Sequence, residues 1–325
     1  MDIDFVIPWV DGDDPEWISE YNKYSKTIKK TDDARSIRYK DYGLLKYWFR
    51  SIEKNAPWVR KIHFITNGQK PSWLNIDHPK LNWVKHQDYI PKEYLPVFSA
   101  NPIEINMHRI KDLAEHFVYF NDDMYLLKPV KPSFFFSKKG LPLDSAIMSC
   151  ISYFGISHII VNDMEIINRE FSKKKVLHKY FYKWFSLKYG LENYRNIVLL
   201  PWSQFTGFLE PHLPQAFLKK TFFEVWGKYP VPLELTNSNR FRSIEDVNQY
   251  LFRNWQLCKG EFKQTNLRRR GRYFCMSQIE SIRKHIKKTK YPMICINDDT
   301  EDYDMSKEVI AIMESLFYEK SQFEL

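Results

Sequence analysis

Apolar residues come in short runs along the first 130 positions, and two periods alternate between them. Residues 3–10 (IDFVIPWV) are almost unbroken apolar, the pattern of a strand buried on both faces. Over Tyr42–Asn55 the period lengthens. Leu45, Trp48, Phe49 and Ile52 share one helical face, and Pro57 follows the end. Lys61–Thr66 (KIHFIT) reads as a second strand closed by Asn67-Gly68, and residues 82–86 (NWVKH) as a third. Ile103–Glu115 has helical spacing, and Phe117–Phe120 is a fourth strand. This order predicts an α/β fold, a mostly parallel Rossmann-like sheet flanked by helices. Beyond Pro129 and Pro132 the pattern loosens. Phe134–Phe136 and Leu141–Ser157 fit strand or loop, Gln215–Tyr229 and Ile244–Leu257 fit helices, and Met293–Ile296 is a last short strand.

Residues 171–190 (FSKKKVLHKYFYKWFSLKYG) differ in kind, with six Lys, seven aromatics and no acid. Leu177, Phe181, Trp184 and Leu187 can share one helical face. Such a helix either packs its aromatics inward or lies on an anionic lipid surface. The chain is accordingly expected to be one domain over 1–325, with 135–205 as a helical, aromatic- and Lys-rich insertion that contacts a partner molecule or a membrane.

The totals narrow this only a little. The chain has 325 residues, 44% hydrophobic and 27% charged, which suits a globular fold with a full core. A formal net charge of +9 favours an anionic partner. Cys150, Cys258, Cys275 and Cys295 are widely spaced, which argues against a zinc framework or disulfide scaffold and for a reducing compartment. Met1 leads straight into a strand, so no signal peptide is expected, and no apolar stretch reaches the length of a bilayer span. A cytoplasmic protein is expected, or one peripheral on the inner face of the cell membrane.

The chemistry is written at the ends of the strands. Phe117–Phe120 runs into Asn121-Asp122-Asp123, and Met293–Ile296 into Asn297-Asp298-Asp299. The first strand runs into Asp11, Asp13 and Asp14. One such ending is ordinary turn chemistry. Three are not, because ligands bind beyond the carboxyl ends of strands in open α/β sheets. Gathered carboxylates repel one another unless a cation sits among them, and oxygen-only ligands suit Mg²⁺ or Mn²⁺, which also take phosphate oxygens. Asp122, Asp123 and Asp298 are the candidate metal ligands.

Other candidates follow from this. His212, between Pro211 and Pro214, is held on a stiff segment and is a candidate base. Arg240 and Arg242, and Arg109 just upstream of the first Asn-Asp-Asp, can clamp phosphate through the guanidinium fork. The basic run Arg268–Arg270 stands without any nucleic-acid-binding signature, so no nucleic-acid partner is expected. Glu301, Asp302 and Asp304 only faintly suggest a calcium loop, since the glycine such a loop requires is missing. No glycine-rich phosphate loop is present.

These residues together resemble the Stealth family of sugar-1-phosphate transferases, whose members include bacterial capsular and cell-wall polysaccharide phosphotransferases and the animal N-acetylglucosamine-1-phosphotransferase. Four blocks carry the resemblance: IDFVIPWVDGDDPEW; KDYGLLKYWFRSIEKNAPWVRKIHFITNGQKPSWL through HRIKDLAEHFVYFNDDMYLLKPV; PHLPQAFLKKTFFEVWGKYP through NRFRSIEDV; and CINDD. The family usually has Gly-Glu-Leu where this chain has Gly43-Leu44-Leu45, and His where it has Asn101. The resemblance implies a nucleotide-sugar-transferase-like sheet and a UDP-sugar donor. A hydroxyl of a glycan acceptor, itself lipid-linked, attacks the phosphorus that carries the sugar, and UMP leaves. It assigns function to Asp11, Asp122, Asp123, His212, Arg242, Asn297 and Asp298 and leaves metal ligand and base undivided; Asn121 and Asn297 join Arg109 and Arg240 as the candidates for binding the donor phosphates. The rival reading is a metal-dependent glycosyltransferase, in which the acceptor attacks the sugar carbon and UDP leaves. A basic binding protein gives no reason for three acid clusters.

Overall fold

The computed structural model describes residues 1–28, 39–152, 157–288, 291–299 and 303–325. Glu301 and Asp302, and residues 153–156 of the Leu141–Ser157 stretch, lie outside these. The chain opens with β1 (Ile3–Pro8), α1 (Pro15–Ser25), α2 (Leu45–Asn55), β2 (Ile62–Thr66), β3 (Leu81–Lys85), α3 (Ala100–Ile105) and β4 (His116–Tyr119). The four strands lie in the order β3-β2-β1-β4, all parallel, as the apolar runs predict. Their side chains alternate between two cores. Phe5, Phe64, Val118 and Phe120 face a cluster built with α2, while Val6, Ile65, Phe117 and Tyr119 face a second one. A strand buried on both sides must be apolar at every position, which is why these runs look continuous.

After β4 come β5 (Met124–Leu126), β6 (Leu143–Asp144), α4 (Ser157–Glu170), α5 (Lys173–Lys179), α6 (Phe181–Trp184) and α7 (Asn193–Val198). The chain returns through β7 (Gln215–Leu218), α8 (Lys219–Lys228), α9 (Pro230–Ser238) and α10 (Gln249–Cys258). It ends with β8 (Lys263–Gln264), β9 (Gly271–Cys275), α11 (Ile279–Lys288), β10 (Met293–Asn297) and α12 (Tyr303–Leu316). β7 adds to β4 as an antiparallel edge. A second sheet has the order β5-β10-β9, and β6 pairs with β8.

Several expectations change. Gln215–Tyr229 is not one helix: its first four residues close the open edge of β4, and the helix begins at Lys219. The Ile103–Glu115 helix ends at Ile105, where Asn106 folds back to donate to the Pro102 carbonyl and to Asn237. The polar stretch after β1 contains α1, with Asp14 accepting from the Trp17 amide as its N-cap and Pro15 in its first turn. The expected amphipathic helix over 171–190 is broken at Tyr180 (φ −117°, ψ 29°), so Leu177 and Trp184 turn into the core while Phe181 and Leu187 stay exposed.

One polar group lies inside β1. Asp4 is fully buried and accepts a two-point contact from Arg60 (2.8 and 2.6 Å) and the Ala114 amide (2.8 Å), with His63 Nε2 at 2.9 Å. Burial alone raises a carboxyl pKa, but the contacts from His63, Arg60 and Ala114 outweigh it and hold Asp4 below the usual value of 3.8. A depressed folded value stabilises the fold fully above the unfolded value, and that stabilisation is lost as the pH falls through the folded one. Asp4→Ala strands a buried His and half-buried Arg, so it is expected to cost about 3 kcal/mol, read as a lowered urea midpoint with unchanged slope.

Candidate active site at the strand ends

The strand ends converge through backbone pairing. The Phe120 amide donates to the Val6 carbonyl, which holds the end of β4 against β1 and delivers Asn121-Asp122-Asp123 beside the chain leaving β1. The Met124 amide donates to the Asn121 carbonyl, turning the chain into β5. There β10 pairs antiparallel, and the Ile296 amide donates to the Asp123 carbonyl (2.9 Å). Asn297 and Asp298 thus reach Asp123 from a second sheet folded onto the first, rather than from a further strand of the same sheet. Asp298 is pushed up to about 7, by burial first and then by the charges of Asp123, Asp299 and Asp41, with Lys40 opposing. Asp122 is solvent-exposed, yet protein packed around it and the charges of Asp123, Asp298 and Asp41 raise its pKa as well.

Asp11 enters through Asp41. Gln69 grips the Asp11 backbone from both sides, accepting from its amide (3.1 Å) and donating to its carbonyl (2.8 Å). Asp41 lies within electrostatic reach of Asp11 and Asp13 on one side and of Asp122 and Asp298 on the other. Its own pKa is raised by burial and by Asp11 and Asp13, against the hydrogen bond from the Gly43 amide (2.9 Å). The remaining acids are structural. Asp14 caps α1, and Asp299 accepts from the Ser277 amide and hydroxyl.

His212 approaches from the segment before β7 in a left-handed conformation (φ 44°), rare for a side chain larger than glycine. Its Nε2 lies 3.8 Å from Asp123 Oδ2, and its ring meets the edge of Tyr273 at 5.4 Å. Burial lowers a histidine pKa, but Asp123, Glu104 and Glu210 reverse the sign and raise it. Behind His212 stand those two glutamates. Glu104 accepts from the Tyr119 hydroxyl (2.7 Å), and burial lifts both to about 7. The charge of Arg242 acts on Glu104, as does that of His212, and also on Asp246. Arg242 and His212 therefore both lie within electrostatic reach of the buried Glu104.

Arg109 and Arg240 stand on aromatic rings instead. Arg109 lies 4.5 Å over Trp226 with Glu93 and Glu234 as its neighbouring charges, and Arg240 lies 4.8 Å over Tyr24 and donates to the Leu95 carbonyl. Asn101, where the family usually has His, is buried and donates to Asp246 (2.7 Å), a packing role. Leu44 and Leu45, where it has Glu-Leu, are core. Sequence reading missed Asp41, Glu104 and Glu210. Glu104 had one local signal, being the only acid between Val97 and Ile110.

Two cation sites are conceivable. Asp123, His212 and Cys295 each hold one ligand atom within 4.8 Å of the others, a set suited to a softer ion. However, the Cys295 thiol donates to Asp123 Oδ2 (3.2 Å), and burial with three neighbouring carboxylates pushes its pKa well up, so it is a protonated donor. The oxygen set fits better. Among the described residues Asp123 Oδ1 and Asn121 Oδ1 are buried without a donor, beside two carboxylates whose ionisation is suppressed. Such acceptors fit a hard divalent cation. A wide concavity of about 640 Å³ lies at the amino-terminal ends of the central strands, lined by Arg60, Asp112 and His116, away from these groups.

Comparison with known proteins identifies the family. Residues 1–29 match the family model for Stealth protein CR1, conserved region 1, and residues 38–144 that for Stealth protein CR2, conserved region 2. Capsular polysaccharide phosphotransferase WcwK of Streptococcus pneumoniae is 43% identical over 99% of this chain and 98% of that protein. Receptor polysaccharide phosphotransferase WefC of Streptococcus oralis is 42% identical over 99% of both. Exopolysaccharide phosphotransferase cps2G of Lactiplantibacillus plantarum is 38% identical over 100% and 96%. Among solved structures, galactosyltransferase LgtC in complex with donor and acceptor sugar analogs aligns over 97% of this chain and 96% of that one, at 10% identity and a TM-score of 0.41, too distant to bear on function. The full-length likeness decides the matter: the chain belongs to the Stealth family, among the bacterial polysaccharide phosphotransferases.

Proposed function

We propose that the protein transfers a sugar-1-phosphate from a UDP-sugar to a hydroxyl of a lipid-linked glycan acceptor, in the cytoplasm at the inner face of the membrane. The acceptor oxygen forms a bond to the phosphorus that carries the sugar, the bond from that phosphorus to UMP breaks, and a phosphodiester results. The observation that carries this reading is a histidine and three carboxylates in one cleft, Asp122, Asp123, Asp298 and His212. The names of the relatives support phosphoryl rather than glycosyl transfer.

His212 takes the acceptor proton at Nε2. The imidazolium so formed is stabilised by Asp123 at 3.8 Å and by Glu104 and Glu210 behind it. Arg242 supplies a planar cation for the oxygens of the transferring phosphoryl group, whose charge spreads in the transition state. Asp122, Asp123 and Asp298, with Asn121 beside them, would hold Mg²⁺ or Mn²⁺, which neutralises diphosphate charge when bound. Asn297, turned inward to donate to the Asp298 carbonyl, shapes that loop. Asp11 and Asp41 close the far side of the cleft.

The test is the leaving nucleotide. With a panel of UDP-sugars and a glycan acceptor, the expected product is UMP in step with phosphodiester formation. UDP as the only nucleotide released overturns phosphoryl transfer in favour of glycosyl transfer.

A further inference from the structure

Exposed apolar side chains are concentrated in one short segment. Nine of the nineteen large hydrophobics that stand exposed among the described residues fall between Phe181 and Trp202. Leu187 and Leu191 are each 95% exposed and Tyr182 86%, close to fully solvated, and Tyr194 and Trp202 join them. Scattered surface hydrophobics need no explanation, but a contiguous patch marks an interaction surface.

The segment is held firmly from beneath. Trp184 and Tyr189 are buried, and Asn196 at the centre of α7 donates to the Ala146 and Trp184 carbonyls while accepting from the Met148 amide. Within α7, Tyr194 and Val198 fall on the helical face opposite Asn196, so anchoring the one face presents the other. The patch is thus a built surface on a packed base.

The surroundings favour one partner. Residues 171–209 hold seven basic residues and one acid, Glu192, which is spent on Arg195 and Arg268. Buried Lys173 donates to the Leu199 and Trp202 carbonyls (2.5 and 2.7 Å), which sets the start of α5, with Lys174 and Lys175 exposed, beside the apolar patch. Lys188 stands exposed between Leu187 and Leu191. Leucine with tyrosine and tryptophan on a cationic ground is the composition of an interfacial membrane surface, and the anionic leaflet is its electrostatic complement.

We infer that residues 181–202, with the basic turn of α5, form a docking surface for the headgroup region of an anionic bilayer. This surface differs from the continuous helix expected over 171–190, whose Leu177 and Trp184 are core. It also leads to the active site. From Trp202 the chain pairs back on the start of the insertion, with Ser149 donating to the Gly207 carbonyl and Leu209 to that of Ile147, and reaches His212 three residues later. Docking there keeps the catalytic cleft near the lipid-linked end of the acceptor. Only that last consequence rests on the proposed reaction.

The test is vesicle co-sedimentation of the full chain, which needs no substrate. Wild-type protein is expected to sediment with phosphatidylglycerol-containing vesicles, to bind phosphatidylcholine vesicles at least about tenfold more weakly, and to release at high salt. The variant Tyr182→Ser/Leu187→Ser/Leu191→Ser is expected to lose at least about tenfold in partitioning with a nearly unchanged melting temperature, because these three side chains are 86–95% exposed. Wild-type protein left in the supernatant with every vesicle overturns the inference, as does a folded variant that binds like wild type. A wild-type dimer that the variant dissociates, without vesicle binding, reassigns the patch to a second copy of the chain.

Discussion

Exhaustive chelation is expected to abolish UMP release, and Mg²⁺ or Mn²⁺ to restore it. The charges of Asp123 and Asp41 suppress the ionisation of Asp122 and Asp298, Asp298 also acts on Asp122, and Lys40 is the one cation that the strongest influences on Asp298 include. A diphosphate brought to this cleft adds more negative charge, so binding it without a cation is uphill. Asp123→Asn and Asp298→Asn are each expected to lose roughly 10²–10³-fold in turnover. The same variants carry a second readout. In the metal-free protein Asp298→Asn removes a repulsion and is expected to raise the melting temperature, while erasing the rise that Mn²⁺ produces in wild type. Full activity after chelation, or a Mn²⁺-induced shift that survives both variants, would remove the metal from the site and leave Arg242 to neutralise the diphosphate.

How much of this could be read before the fold was known depends on the range of the interaction. The parallel core was legible because β1, β2 and β4 are buried on both faces, which writes an unbroken apolar run into the chain. The edge β7 was not. Four residues, Gln215–Leu218, carry too little period to separate strand from helix, and only the open side of β4 decides the matter. The convergence of the Asn-Asp-Asp turns was legible as chemistry and not as topology: two acid pairs imply a shared ligand, but nothing local says that β10 pairs with β5 in a second sheet. Asp41 and Glu210 were invisible for the same reason, and Glu104 showed only as a lone acid in an apolar stretch, since burial raises a single acid's pKa only once distant parts of the chain pack around it. Asp14 was a readable signal given the wrong weight. Asp-Pro-Glu before an apolar position starts a helix, and its carboxylate is occupied at the Trp17 amide. In the insertion the helical period misled, because the break at Tyr180 resets the direction of the later side chains and splits the expected face into buried Leu177 and Trp184 and exposed Phe181 and Leu187.

His212 and Arg242 are expected to fail in different ways from any merely structural pair. His212→Ala removes the proton acceptor at the cleft and is expected to cost roughly 10²–10⁴-fold in turnover, with UDP-sugar affinity largely retained. The competing account is that His212 only stiffens the Pro211–Pro214 segment, in which it holds a left-handed backbone. Alanine is no better suited to that conformation than histidine, so the substitution leaves the backbone cost in place and isolates the imidazole. On the competing account His212→Ala lowers the melting temperature and leaves turnover per folded molecule nearly unchanged; measured together on one preparation, the two quantities separate the accounts. Arg242→Lys tests the partner. A charge that served only to offset Glu104 and Asp246 survives as an ammonium, and the variant then works almost as well as wild type. A guanidinium that spans two oxygens of the transferring phosphoryl group does not survive it, because lysine presents a point charge where the transition state meets a planar fork. The expected result is therefore a loss in Arg242→Lys close to that in Arg242→Ala, borne by turnover more than by donor affinity, since the charge it meets grows only as the bond to UMP breaks.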